Sequence, residues 1–129
     1  MARSAQRKVN RLALSYADVA RGVPSSLVRE VEGRGLRRED IRMIIADRTL
    51  DRRIAAGEML REDEADGLAR LLRVLAMAQR VFADEALADE WLRSANPALG
   101  DVPIRMARTD LGGREVEAAL GRLEHGVFG

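Results

Sequence analysis

The chain's one histidine, His125, stands beside Gly126 and close to the last residues, and nothing in the sequence equips it for catalysis. A general base needs a nucleophile to activate and a third group to orient it. Here there is no cysteine, and the carboxylates are scattered without ligand spacing around that lone imidazole. Cysteine-ligated zinc, thiol chemistry and disulfides are therefore excluded, and one histidine with scattered carboxylates offers no first-row metal set. No glycine-rich phosphate loop follows a strand. No enzyme is expected, and no cofactor. A histidine at a helix C-terminus serves more naturally as a partner of the helix dipole.

The residues that could do something are arginines. RTLDRR at 48–53 places Arg48, Arg52 and Arg53 near the start of a short helical pattern, with Thr49 between them and Arg38 on the segment before. Guanidinium groups in that position can bond guanine edges bidentately and neutralise phosphates. Residues 1–53 hold 13 Lys/Arg against 7 Asp/Glu, a net of +6, whereas residues 54–129 hold 9 against 14, a net of −5. A basic half joined to an acidic half implies two different partners, one of them polyanionic.

The elements that must carry these arginines read as helices throughout, and an all-α fold is expected. A basic arm with Arg3, Arg7, Lys8 and Arg11 leads into a short helix ended by Gly22 and Pro24. Ser25 or Ser26 can cap a second helix, which presents Leu27, Val28 and Val31 and stops at Gly33. Leu36, Ile41, Ile44 and Ile45 mark a helix over 37–45. Ala46–Asp47–Arg48 reads as a tight turn, and Thr49 as the cap of a helix running to about Ala56. Two short helices joined by a tight turn form a helix-turn-helix pattern.

From Glu62 the apolar spacing becomes long and regular through Leu68, Leu71, Leu72, Leu75, Ala78 and Phe82, as in a helix central to a core. Asp84 starts another helix with Leu87, Trp91 and Leu92. In EWLRSANPALGDVP the Asn96–Pro97 pair cannot continue that helix, and Pro103 suits the first position of the next. Gly112–Gly113 precede a last helix with Val116, Ala119, Leu120 and Leu123 on one face. Leu71, Leu75, Phe82, Trp91, Leu120 and Leu123 are the expected core, with Trp91 as its aromatic anchor. No apolar run approaches the roughly 18 residues of a membrane span, and the first residues lack the apolar stretch of a signal peptide. A cytoplasmic protein without membrane contact is expected.

With these motifs on the page, the chain resembles the Xre–MbcA–ParS group of bacterial antitoxins, particularly the branch paired with RES-domain toxins. The likeness covers roughly residues 36–129. It rests on RTLDRR, on LREDEADGLARLLRV at 60–74, on the Phe82-Ala-Asp pattern, on EWLRSANPALGDVP, and on the terminal V…L.R.E.GVFG. Two departures stand out. The family usually shows Glu-Ser-Asp-Arg where this chain has Glu64-Ala65-Asp66-Gly67, and often a proline in the turn where this chain has Ala46 or Asp47.

The resemblance implies a helix-turn-helix region over 1–60 that binds the operator of its own operon, and a toxin-binding domain over 61–129. The expected partner is a RES-domain toxin, similar in fold to ADP-ribosyltransferases and using NAD. The expected contacts are Arg122, Glu124, His125, Val127, Phe128 and Gly129, reaching the toxin's cleft. There a carboxylate, from Glu124 or from the chain terminus, would stand in for the pyrophosphate of NAD. A homodimer within a toxin–antitoxin hetero-oligomer follows from the two half-sites that such DNA readers usually bind. The alternative is a stand-alone regulator of the Xre type, or a ParS-like scaffold without a toxin.

Overall fold

The computed structural model describes residues 13–126, and every regular element in that span is a helix. Eight follow in order: α1 (Tyr16–Arg21), α2 (Leu27–Val31), α3 (Arg38–Arg42), α4 (Asp47–Ala56), α5 (Glu62–Phe82), α6 (Glu85–Arg93), α7 (Pro103–Met106) and α8 (Asp110–Glu124). The basic arm expected before α1 lies outside the described residues, as do Val127, Phe128 and Gly129.

Local chemistry explains most of the boundaries. Ser15 and Asp18 form a reciprocal capping box that starts α1, which satisfies two backbone donors the helix would otherwise leave open. Thr109 accepts from the Gly112 amide at 3.0 Å and starts α8, and Pro103 occupies the first turn of α7. The connection between α3 and α4 differs from the expected one. The turn runs over Met43–Ala46, and α4 begins at Asp47 with Ala46 extended before it. Thr49 is thus inside the helix and caps nothing.

The 21-residue α5 is the axis of the fold. Its buried stripe of Leu68, Leu71, Leu72, Val74, Leu75 and Ala78 meets Val116 and Leu120 of α8, Ala88 and Leu92 of α6, and Ile104 before Ala107. Arg73 pairs with Glu117 at 3.1 Å and Arg80 with Glu124 at 2.7 Å. Equal steps of seven residues along both helices mean that α8 runs parallel to α5, with both C-termini at one end. The same apolar cluster continues without a break through Val28, Val31, Leu36, Ile41, Ile45 and Leu50. One core therefore serves both sides of the boundary near residue 60.

Two glycines make these contacts possible. A Cβ on Gly67 would come within 2.7 Å of Ile44 Cδ1, so the bare backbone is what lets the α3–α4 turn seat on the long helix. That contact offsets the cost of about 1 kcal/mol that glycine carries inside a helix. At Gly112 a Cβ would lie 2.1 Å from the Met106 carbonyl oxygen. Gly112 and Gly113 accordingly sit within the first turn of α8, one turn earlier than the expected start.

Candidate functional site

On α4 the structure sorts the expected arginines into two kinds. Arg48 and Arg52 are exposed and one turn apart, and neither is held by a carboxylate among the described residues. Thr49 beside them is half-buried. Arg53 departs from its expected role. It is only 9% exposed and its guanidinium pairs with Glu64 of α5, which also accepts from the Arg61 amide at 2.7 Å. The reason is helical period: Leu50, Arg53 and Ile54 share one face, and that face is the one turned to the core. Arg53 is removed from the surface set.

The acidic residues around Arg48 and Arg52 are largely occupied. Asp47 takes Arg42 at 2.7 Å, and Asp51 takes Arg29, which also reaches Glu32 at 3.3 Å. Arg38 is exposed and donates to the same Glu32 at 3.3 Å. This chain of ion pairs fastens α2, α3 and α4 together and, among the described residues, leaves Arg48 and Arg52 of α4 unengaged. Their neighbours' negative charge is reduced by partners that reading the sequence in order does not reveal.

The two halves of the chain are joined by a second, more buried arrangement. Arg93 of α6 donates twice to Asp40, at 2.8 Å on each oxygen, and to the Gly35 carbonyl at 3.0 Å and Asp89 at 2.6 Å. Asp40 is 2% exposed and also accepts the Arg37 amide that opens α3. Hydrogen bonding to Asp40 raises the Arg93 pKa above its ordinary value, against the desolvation that burial imposes, with Asp89 adding to it. On α5, Arg70 crosses Gly113 and donates to the Ala107 and Arg108 carbonyls at 2.7 and 3.0 Å. Glu64 and Asp66, in the segment that departs from the family tetrad, find partners in Arg53 and Arg70.

At the C-terminal end, Arg122 and His125 are exposed. Glu124 is already met by Arg80, at 2.7 and 3.3 Å. Hydrogen bonds from Arg80, before any other cause, hold its carboxyl below the usual glutamate range. A cation that takes Glu124 must share it with Arg80 or displace it.

Trp91 packs against the core, as expected, without being enclosed by it. It is half-buried, as are Phe82 and Leu123, whereas Leu71, Leu75 and Leu120 are fully enclosed. The indole packs against the Phe82 ring at a centroid distance of 5.9 Å, tilted by 44°. Its outer face remains at the surface.

The fold thus joins a helix pair with exposed cations to an acidic helical half, an arrangement suited to binding. Comparison with known proteins narrows this. Residues 77–126 match the model of the Xre/MbcA/ParS antitoxin C-terminal toxin-binding domain. An Antitoxin Xre of Yersinia enterocolitica is 35% identical over 86 residues, and one of Pseudomonas putida 36% over 84, covering 65% and 64% of this chain. The chain spans 58% and 53% of those two relatives' own lengths. A third, from Photorhabdus laumondii, is 31% identical over 115 residues, or 82% of this chain and 75% of the relative. The chain belongs to the Xre/MbcA/ParS antitoxin family.

Proposed function

We propose that this protein is the antitoxin of a type II toxin–antitoxin system. In this reading the C-terminal half binds a RES-domain, NAD-consuming toxin and covers its active site, and α3–α4 bind the operator of the shared operon. The observation that carries it is the match of residues 77–126 to a toxin-binding domain. Further support comes from the charge division between the halves and from the exposure of Arg48 and Arg52 on α4.

Inhibition by occlusion requires no chemistry from the antitoxin. Arg122, Glu124 and His125, followed by residues 127–129, would enter the cleft and exclude substrate. A basic toxin side chain would take over Glu124 from Arg80 as a charge-assisted pair. Arg80 is exposed, and solvent screens such surface pairs so that they contribute little; the exchange therefore costs little. A homodimer would present two copies of α4 to two half-sites. No described helix is long and apolar enough to cross a membrane.

The test is co-expression with the RES-domain protein of the same operon. The full chain should restore growth and stop NAD loss, and removal of residues 124–129 should release the toxin while leaving operator binding intact. Full protection by the shortened chain would move inhibition elsewhere on the domain. A full chain with no effect on the toxin would leave a DNA-binding regulator without this partner.

A further inference from the structure

Helix α6 buries Ala88 and Leu92, both at 0% exposure, and so turns Leu87 to the surface and leaves Trp91 partly buried at the edge of the core. Leu87 is 51% exposed. Together with Phe82 and Pro97, these two residues line an open groove of about 510 Å³. A scattered exposed leucine needs no explanation. An exposed leucine, a partly buried tryptophan and a proline gathered in one concavity do, because contiguous apolar patches on soluble proteins mark contact sites. The chain contains one Trp, one Tyr and two Phe, and two of those four rings are at this groove. Tryptophan in a concave apolar surface is the residue type most often found to dominate binding energy.

Charge and position indicate what fills it. Glu90 lines the groove, and Asp84 and Glu85 are exposed at the start of the same helix. None of the three is paired with a cation among the described residues. Among the described residues Glu90 is the one charged side chain in the lining, and the helix that carries it opens with two further acids. The groove lies inside the span that matches a toxin-binding domain. It also sits at the C-terminal end of α5, the end to which the Arg80–Glu124 pair brings the last turn of α8. An enzyme that binds the pyrophosphate of NAD presents positive potential at its cleft, from cationic side chains or a helix N-terminus. A surface beside such a cleft is complementary to a groove lined by Glu90.

We propose that the groove formed by Phe82, Leu87, Trp91 and Pro97 is a second docking point for the toxin, seating an apolar side chain flanked by lysine or arginine. This rests on the antitoxin reading above and adds to it a contact separate from the C-terminal segment. Such a contact holds the toxin while the terminal residues occupy the cleft.

The experiment uses the full chain and the purified RES-domain protein of the same operon. Leu87→Arg puts a long cation into the groove at a site already half in solvent, and Glu90→Arg reverses the charge in its lining. Leu87→Arg should weaken toxin affinity at least tenfold with an unchanged melting temperature, and Glu90→Arg should weaken it less and in a salt-dependent way. The single tryptophan gives a direct readout. With 5-fluorotryptophan at position 91, its one fluorine resonance should shift on addition of unlabelled toxin. Wild-type affinity in Leu87→Arg together with an unmoved fluorine line overturns the groove and leaves the antitoxin reading standing. Failure of the wild-type chain to bind the toxin overturns both. If Leu87→Arg alters self-association but not toxin affinity, the occupant is a second copy and the proposal is wrong.

Discussion

Arg52 and Arg53 are neighbours in sequence and opposites in physical setting, and their substitutions should separate cleanly. Arg48 and Arg52 face solvent without carboxylate partners among the described residues. Changing either to alanine should leave stability within about 0.5 kcal/mol, as for surface positions generally. Operator affinity should fall, and each lost phosphate contact should lower the salt slope by about one unit. Arg53→Ala should do something else. It strands Glu64 at 7% exposure with no guanidinium, and removing one member of a buried pair costs about 3–5 kcal/mol. Thermal melting and a salt series of mobility shifts on the two variants check this directly. Equal melting temperatures for Arg52→Ala and Arg53→Ala would refute the assignment.

Among the elements, the junction between α5 and α6 carries a local strain that can be relieved. Ala83 closes the long helix at φ 53°, in the left-handed region, and it is the one non-glycine residue there among those described. A Cβ in that conformation costs about 1–2 kcal/mol, part of which glycine gives back through its larger unfolded-state entropy. Ala83→Gly should therefore raise stability by up to about 1 kcal/mol, read as a small increase in urea midpoint with an unchanged slope. A lowered midpoint would mean that the turn tolerates alanine without strain. The junction matters because it sets the angle at which α6 leaves α5, and so where Trp91 meets Phe82.

Across the whole molecule, one apolar cluster and two arginines paired with buried carboxylates make the halves interdependent. Arg93 reaches from the toxin-matching span to Asp40 in the helix pair, and Arg53 reaches from the helix pair to Glu64. Arg93→Met should destabilise the fold by about 3 kcal/mol, since it leaves Asp40 buried with only backbone partners. The loss should appear as a single shifted transition, followed equally by Trp91 fluorescence and by far-ultraviolet circular dichroism. Operator affinity should decline near the new midpoint although no residue on the α4 face has changed. Two separated transitions, with Trp91 melting apart from overall helicity, would show that the halves unfold independently.

What could be learned without coordinates was largely what repeats along the chain. Apolar spacing of three and four residues marks α5, α6 and α8 because each buries one continuous stripe, and proline and the Thr109 cap mark breaks because their constraints act within a few residues. The Leu50, Arg53, Ile54 spacing even carried the signal that Arg53 faces inward. Reading the arginine by its charge alone concealed it. Tertiary structure decided the rest. Composition places Trp91 at the core and it does pack there, but only at the edge, because α6 seats Ala88 and Leu92 at the centre and a helix has only one side to turn inward. Gly67 looks like a weak point in a helix until Ile44, twenty-three positions earlier, is found against it. Asp40 with Arg93 and Glu124 with Arg80 are pairs across 53 and 44 positions. No local preference encodes such pairs, because they exist only once packing has brought distant helices to within hydrogen-bond reach.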